Sequence, residues 1–178
     1  MRFEGKAYRG HDPQWAFTPL SGDGAAFYGG RFNPKGIPAL YLALSPMGAI
    51  NEVCQGLAAR IAPMTLVEYD VDCNDIDDLT DASTRAALGI VEADMACSWG
   101  EDALILGKTP ASWAIATRLI AGGSAGIIVP SYAHAPEAAS DHRNLVLWKW
   151  ASRRPHRVRA YDPTGKLPAN QLSWPKFR

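Results

Sequence analysis

The sequence predicts a single α+β domain, and three observations support this fold class. The chain has 178 residues, which suffice for one domain and not comfortably for two. Hydrophobic residues make up 47% and charged residues 20%, as in proteins that bury a sizeable core. The predicted strands outnumber the helices and do not alternate cleanly with them, which favours α+β over a doubly wound parallel sheet.

The first half of the chain contains a glycine-rich loop, a strand and a helix. Five glycines between residues 18 and 36 predict a loop. Residues 38–44, PALYLAL, form a continuous apolar run that is typical of a buried strand. Ser45-Pro46 predicts a helix start, with serine as N-cap and proline at the first helical position. We expect this helix to run to about Ile61.

The second half reads as strands interspersed with two helices. Residues 65–71 alternate apolar and polar side chains, as a half-buried strand does. Apolar periodicity predicts helices over 80–88 and 109–121, and strands over 125–129, 144–150 and 157–161. The domain is therefore expected to span residues 1–162, and residues 163–178 to form an irregular tail.

Net charge and the distribution of apolar residues argue against several classes of protein. Lys and Arg total 18, as do Asp and Glu, which argues against bulk nucleic acid or an anionic membrane as the main partner. The longest apolar stretches reach only about seven residues, far short of a membrane span. The first residues, MRFEG, contain no apolar signal core, so we expect a cytoplasmic protein.

Charge is nevertheless segregated along the chain. Residues 68–102 hold eleven acidic residues and one basic residue, whereas residues 141–178 hold nine basic and two acidic residues. One interpretation is that these two solvated segments pair with each other. The other is a basic surface that binds an acidic partner, a phosphate ligand or a nucleic acid.

The cysteines and histidines predict no metal site. Cys54, Cys73 and Cys97 are odd in number and lack a CxxC spacing, which argues against a disulfide framework and a zinc site. The four histidines are scattered without the spacing of metal ligands.

One motif imitates a hydrolase. Residues 122–126, GGSAG, match the GxSxG nucleophile elbow, which must follow a strand and open a helix. Here a predicted helix ends at Ala121 and a strand follows, so we interpret Gly122-Gly123 as a helix C-cap. A hydrolase that uses Ser124 remains a minor alternative.

The densest polar chemistry lies between residues 8 and 52. Arg9 and Arg31 offer planar guanidinium groups suited to a diphosphate, and Gly30 beside Arg31 lets backbone approach a ligand closely. These residues could hold a dinucleotide without a Rossmann motif. A glycine-rich loop with an arginine is, taken alone, equally compatible with a surface turn.

Glu52 lies on the predicted helix opposite an apolar stripe. A helical wheel places that stripe on one face, and its members are Ile50, Val53, Cys54, Leu57 and Ile61. Gly48 and Gly56 stand four residues before and after Glu52, so the ridge around its carboxylate is bare. A solvated surface glutamate is the ordinary interpretation, but a bare ridge also suits a ligand that lies along the helix.

Two further polar residues stand at strand ends. Ser131 follows the buried strand 127–129, where it either caps a turn or presents its hydroxyl to a site. Asn144 begins the strand NLVLWKW and could line the same end of the sheet.

In this order the pieces resemble the RES domain family. The resembling segments are residues 8–9 (YR), 21–36 (SGDGAAFYGGRFNPKG), 39–52 (ALYLALSPMGAINE), 126–133 (GIIVPSYA) and 143–148 (RNLVLW). The combination of GGRFN, YLA and a glutamate eleven residues after Tyr41 is more specific than any piece alone. The arginine, glutamate and serine for which the family is named would correspond to Arg9 or Arg31, Glu52 and Ser131.

The resemblance implies a fold similar to diphtheria-type ADP-ribosyltransferases, with a split, mainly antiparallel sheet, flanking helices and NAD in the cleft. It implies that NAD is the consumed substrate and that no metal takes part. It also implies a bacterial cytoplasmic toxin silenced by an Xre-type antitoxin that carries a helix-turn-helix domain, with no direct binding of nucleic acid or membrane.

On this hypothesis Glu52 stabilises the electron-poor ribose as nicotinamide leaves. Arg9 and Arg31 bind the diphosphate, Tyr41 stacks on nicotinamide, and Ser131 hydrogen-bonds either the ligand or Glu52. Gly30 and Asn144 also contribute to the NAD site. The acceptor of ADP-ribose is expected to be a protein, such as an enzyme of nucleotide precursor synthesis, with phosphate or water as alternatives. A non-catalytic nucleotide-binding module is the competing class.

Overall fold

One seven-stranded sheet organises the protein. The computed structural model describes residues 1–54, 62–133 and 142–172. Its strands are β1 (Phe3–His11), β2 (Leu40–Ala43), β3 (Thr65–Cys73), β4 (Ile76–Asp78), β5 (Gly126–Pro130), β6 (Arg143–Leu147) and β7 (His156–Ala160). They lie in the order β4-β5-β6-β2-β1-β3-β7. Neighbours are antiparallel except β4 and β5, so the predicted α+β class with a mainly antiparallel sheet is confirmed.

Short helices connect the strands and cover the sheet. They are α1 (Asp23–Tyr28), α2 (Pro46–Cys54), α3 (Ala82–Ala87), α4 (Glu92–Met95) and α5 (Ala111–Ala121), with a 3-10 turn at Pro13–Trp15 and a π turn at Glu101–Ile105. The predicted start of α2 is confirmed, because the amide of Gly48 donates to Ser45 Oγ at 3.0 Å as an N-cap requires. The predicted end near Ile61 lies outside the described residues.

Among the described strands, β1 and β2 share the shortest stretch of paired residues. β1 pairs with β3 along nine residues, from Phe3 with Cys73 to His11 with Thr65. Within the described residues, by contrast, β1 and β2 are registered through Tyr8 and Ala43 alone. The sheet is thus split into a β4-β5-β6-β2 half and a β1-β3-β7 half, and a cleft can open where they part.

Alternation along the central strands divides the core between the two faces of the sheet. Leu40 and Leu42 of β2 pack on one face with Tyr69 and Val71 of β3. On the other face, Val146 of β6 packs with a second cluster, whose members include Phe32, Met95, Ile115, Leu119, Ile127 and Trp148. This second core lies under α5 and the glycine-rich segment, and it anchors the chain that precedes β2.

Several elements were not predicted. β1 is a central strand, but its sequence FEGKAYRGH carries two glycines and little apolar alternation, so its pairing with β3 rather than its composition defines it. The prediction of a loop over residues 18–36 was wrong in part, because α1 occupies Asp23–Tyr28. α1 has six residues and no side-chain cap, so the sequence gives little signal for it. β4, α4 and the π turn also escaped prediction.

The segregated charges meet between neighbouring strands. β3 and β7 are antiparallel, with Asp70 opposite Arg159 and Asp72 opposite Arg157. Asp72 also forms an ion pair with Arg154, whose Nε lies 2.6 Å from Oδ2. The interpretation that the acidic and basic segments pair with each other is therefore confirmed.

None of the helices in the described ranges is long and apolar enough to cross a membrane.

Candidate active site

Glu52 is the point at which three elements of the cleft meet. Its Oε1 accepts a hydrogen bond from Ser131 Oγ at 2.6 Å and another from Asn144 Nδ2 at 2.6 Å. Ser131 follows β5, Asn144 belongs to β6, and Glu52 belongs to α2. Two neutral donors thus fix one carboxylate oxygen, while Oε2 receives no hydrogen bond from the described part of the chain.

The apolar stripe of α2 is not the face that the helix buries. The buried residues of α2 are Gly48 and Ala49, and Val53 of the apolar stripe is 41% exposed. A Cβ at Gly48 would lie 3.0 Å from Ser45 Oγ and 3.3 Å from Ala43 Cβ, so this glycine lets the helix approach β2. Small residues rather than large apolar ones therefore face the sheet. Gly56, Leu57 and Ile61 lie outside the described residues.

A cavity of about 220 Å³ occupies the cleft between β1 and β2. Arg9 of β1, Tyr41 of β2 and Glu52 of α2 line it together with Asn144. The Arg9 guanidinium donates one hydrogen bond, to the carbonyl of Ser21 at 3.2 Å. No carboxylate within the described ranges forms an ion pair with it. Burial lowers the pKa of Arg9 below its ordinary value, but an arginine keeps its charge, so the cavity contains an uncompensated cation.

A larger cavity of about 670 Å³ shares Glu52 and Tyr41 with the first cavity in its lining, and Arg31 lines it. The Arg31 Nη1 donates to the carbonyls of Met95 at 3.1 Å and Cys97 at 2.6 Å. Its Cζ lies 4.4 Å from the ring centroid of Tyr132, a cation–π contact. Arg31 is therefore fixed by backbone and ring, whereas Arg9 is held by a single long bond.

Arg31 stands at the tip of a tight turn. Gly30 and Asn33 form a two-residue antiparallel bridge across it. The indole N–H of Trp113 donates to the Gly30 carbonyl at 2.7 Å, and that of Trp148 donates to the Phe32 carbonyl at 2.8 Å. These hydrogen bonds hold the glycine-rich segment against the core and fix the position of Arg31.

Tyr41 is tied to the same turn. Its hydroxyl donates to Asn33 Oδ1 at 2.7 Å and accepts the Phe32 amide at 3.0 Å. Burial raises the pKa of Tyr41, so the phenol is neutral at physiological pH. A Cβ at Gly30 would lie 2.6 Å from the Tyr41 hydroxyl. Gly30 was expected to let backbone approach a ligand, and in the structure it makes room for Tyr41.

Sequence reasoning missed Asn33 as a member of this network. Its side chain is fully buried, and Nδ2 donates to the carbonyls of Ala25 at 2.8 Å and Ile37 at 2.9 Å. An asparagine before a proline in a glycine-rich segment was the available signal, because asparagine commonly bonds nearby backbone in turns. Asn33 thus links α1, the Arg31 turn and Tyr41.

The structure does not support Ser124 as a nucleophile. Ser124 follows α5 instead of opening a helix, it is 8% exposed, and its Oγ donates to the carbonyls of Asp75 and Gly126. Gly123 has φ +97° and its amide donates to the Ile120 carbonyl, so the predicted helix C-cap is confirmed. In residues 1–54, 62–133 and 142–172, no three His, Cys, Asp or Glu side chains are grouped to hold a metal ion.

Six of the predicted site residues thus line two cavities that share part of their lining. Arg9 and Asn144 line the smaller cavity, Gly30 and Arg31 line the larger cavity, and Tyr41 and Glu52 line both. Ser131 joins them through its hydrogen bond to Glu52. The RES domain family model matches residues 6–170 of this sequence. The comparison with curated proteins gave no significant match.

Proposed function

This chain belongs to the RES domain family of NAD-acting, toxin–antitoxin-associated domains, and we propose that it cleaves NAD at the nicotinamide–ribose bond. We further propose that it transfers the ADP-ribose to a protein acceptor and acts as the toxin of a bacterial toxin–antitoxin pair. The observation that carries the proposal is a carboxylate fixed by Ser131 and Asn144 between two cavities, each lined by an arginine.

Bond cleavage requires negative charge beside the sugar. As nicotinamide leaves, positive charge develops on the ribose ring, and hydrogen bonds to its 2-hydroxyl strengthen. Glu52 supplies the charge: Ser131 and Asn144 occupy Oε1, which leaves Oε2 to accept the ribose hydroxyl. Two donors on one oxygen also restrict rotation of the carboxylate. Glu52 therefore stabilises the cation with little rearrangement.

The diphosphate requires positive charge. Arg9 lines the smaller cavity and Arg31 the larger one, each together with Glu52, and neither arginine forms an ion pair with a carboxylate of the described chain. A diphosphate that spans the cleft would compensate both cations, with bidentate hydrogen bonds of the kind arginine favours. The Tyr41 ring lines both cavities and is fixed through its hydroxyl, which suits it to stack against the nicotinamide.

The fate of the ADP-ribose follows from what reaches the ribose. Phe27 and Tyr28 beside the larger cavity are 73% and 68% exposed and pack edge to face, with ring centroids 4.8 Å apart. An exposed aromatic rim suits a macromolecule, which supports a protein acceptor. Cleavage by phosphate or water is the second candidate, because the uncompensated charge of Arg9 would also attract inorganic phosphate.

The same rim supports the proposed partner. An Xre-type antitoxin that covers Phe27 and Tyr28 would obstruct the larger cavity and silence cleavage whatever the acceptor. Addition of the purified antitoxin should abolish nicotinamide release from NAD. A complex that cleaves NAD at the rate of the free protein would contradict this partner role.

Incubation of the purified protein with NAD labelled in the adenosine moiety tests the function directly. Release of nicotinamide reports bond cleavage. Label recovered on protein identifies a transferase, label on ADP-ribose 1-phosphate identifies a phosphorylase, and label on free ADP-ribose identifies a glycohydrolase. Stoichiometric NAD binding without nicotinamide release, with each acceptor supplied, would indicate the non-catalytic module instead.

A further inference from the structure

Within the described residues, the side-chain nitrogen of Asn144 is hydrogen-bonded and its side-chain oxygen is not. It lies on β6 opposite Ala43 of β2 and Val129 of β5. Its Nδ2 donates to Glu52 Oε1 at 2.6 Å. Its Oδ1 is buried and has no hydrogen-bond partner within the described ranges. The carboxylate sets this orientation, because a flipped amide would place two acceptor oxygens against each other.

A buried acceptor without a donor is costly, so such an atom in a cleft indicates a missing ligand group. Asn144 lines the cavity of about 220 Å³ together with Glu52. Two acceptors of this region, Asn144 Oδ1 and Glu52 Oε2, lack donors from the described chain. A ligand group that meets these two oxygens must therefore bring N–H or O–H groups, and an anionic group beside them would be repelled by Glu52. Arg9, which lines the same cavity, is taken by the diphosphate of the bound dinucleotide.

We propose that Asn144 is a specificity-determining residue whose Oδ1 accepts a hydrogen bond from the carboxamide N–H of the nicotinamide. The site then takes NAD and rejects the dinucleotide that carries nicotinate, whose carboxylate has no proton to donate and is repelled by Glu52. This inference rests on the proposed cleavage of NAD. It goes beyond that proposal by assigning the pyridine ring to the smaller cavity. It also identifies the carboxamide as the group that Asn144 recognises.

The test compares NAD with nicotinic acid adenine dinucleotide. For the wild-type protein we expect kcat/KM for NAD to exceed that for the nicotinate dinucleotide by at least about 100-fold, as for sites built to bind a donor group. Asn144→Ala should lower kcat/KM for NAD and reduce this ratio at least tenfold. Ser131→Ala is the matched control: it removes the other donor to Glu52, so it should slow both dinucleotides and leave their ratio unchanged.

A second variant separates a hydrogen-bonding role from a purely structural one. Asn144→Asp keeps the volume and places two carboxyl groups within hydrogen-bond distance, where they share a proton. Because the shared proton leaves as pH rises, NAD cleavage by this variant relative to wild type should fall with rising pH. A structural defect would give a loss independent of pH. Other titratable groups that line the same cavities and are common to both proteins are Tyr8, Arg9, Tyr28, Arg31, Tyr41 and Tyr132.

The outcomes distinguish this inference from the proposed function. Equal cleavage of the two dinucleotides by the wild-type protein, or an unchanged ratio in folded Asn144→Ala, overturns the assignment of Asn144 and leaves NAD cleavage intact. A wild-type protein that cleaves neither dinucleotide overturns both. Folding of each variant is checked by circular dichroism and thermal melting. If Asn144→Ala does not fold, a pH-independent loss in Asn144→Asp overturns the assignment.

Discussion

Two carboxylates of this protein, Asp72 and Glu52, differ in the groups that surround them: Asp72 contacts arginines, and Glu52 accepts hydrogen bonds from neutral side chains. Asp72 of β3 is 1% exposed and is surrounded by cations: Arg2 Nε lies 2.7 Å from Oδ1, and Arg154 Nε lies 2.6 Å from Oδ2. A third arginine, Arg157, lies 3.4 Å from Oδ2. These hydrogen bonds and charges hold the pKa of Asp72 at about 2. Its charge is fully compensated within the fold.

Within residues 1–54, 62–133 and 142–172, no cation forms an ion pair with Glu52. Its two hydrogen-bond donors, Ser131 and Asn144, are neutral. The arginines that border its cleft, Arg9 and Arg31, bond to backbone carbonyls instead. A compensated carboxylate stabilises the fold, whereas an oriented but uncompensated one, beside cations that are equally uncompensated, is arranged for a ligand that carries both kinds of charge.

Glu52→Gln gives the largest expected change, and it tests whether Glu52 acts on the ligand and not on the stability of the fold. Loss of one fixed electrostatic group typically slows a reaction about 100- to 1000-fold, so nicotinamide release should fall by that factor. The melting temperature should stay near that of wild type, because glutamine is isosteric and no ion pair is lost. Nicotinamide release and melting are measured on the same preparation. An active Glu52→Gln protein would refute the role of this residue.

Arg9→Gln and Arg31→Gln separate the two arginines. A charge-assisted hydrogen bond contributes about 1.5–3 kcal/mol, so each change should weaken NAD cleavage about 10- to 100-fold in kcat/KM. Arg31→Gln should also lower the melting temperature, because it loses the bonds to the Met95 and Cys97 carbonyls. Arg9→Gln should not, since burial of its unpaired charge opposes folding. Equal destabilisation by the two substitutions would contradict this distinction.

Asp72→Asn tests whether Asp72 stabilises the fold and has no part in NAD cleavage. It leaves Arg2, Arg154 and Arg157 without their common partner, so the melting temperature should fall while NAD cleavage per folded molecule stays unchanged. Glu4→Gln is the matched control, because Glu4 is exposed and pairs with Arg2 alone. It should shift the melting temperature much less. A specific loss of cleavage in folded Asp72→Asn would show that the two carboxylates are not separate in function.

Acid should weaken the fold through a buried histidine. His11 Nε2 lies 2.6 Å from the Tyr69 hydroxyl, and burial, with the charge of Arg9 as a smaller cause, lowers the pKa of His11 to about 4. The unfolded chain binds this proton near pH 6.5 and the folded chain near pH 4, so stability falls as pH drops through that interval. Urea unfolding at pH 7 and pH 4.5 measures the loss, which His11→Gln should reduce.

Ser124→Ala gives the smallest expected effect. NAD cleavage should stay at the wild-type rate, because Ser124 lies in the turn after α5 and its Oγ donates to backbone carbonyls. The wild-type protein should likewise resist labelling by an active-serine probe. Labelling that disappears in Ser124→Ala would revive the hydrolase.

The sequence predicts elements whose signals are local and misses those defined by distant partners. Ser45-Pro46 predicts the start of α2 because an N-cap and a first-turn proline act within one turn. The apolar run 38–44 predicts β2 for the same reason. β1 escapes prediction because its partners, β2 and β3, are distant in the sequence.

For the candidate site, sequence reasoning found the residues and only one of the two contacts that hold Glu52. The hydrogen bond from Ser131 to Glu52 is one of the two alternatives expected for this serine, and it is present. The hydrogen bond from Asn144 to Glu52 was not foreseen, because it joins positions 92 residues apart. The apolar stripe of α2 does not reveal its buried face, because the small residues Gly48 and Ala49 are the ones that allow close approach to the sheet. Asn33 was passed over because its partners are mostly backbone carbonyls, which no sequence pattern displays.

Three tryptophans bond to the segment that carries Arg31. Trp150 donates its indole N–H to the Leu20 carbonyl at 3.0 Å, and Trp113 and Trp148 bond further along the same segment. A glycine-rich loop that is mobile in the free protein loses conformational entropy when it binds a ligand. Here the segment is already fixed, so it loses that entropy when the chain folds. Arg31 is preorganised, and the entropic penalty of recognition falls on protein folding instead of on affinity.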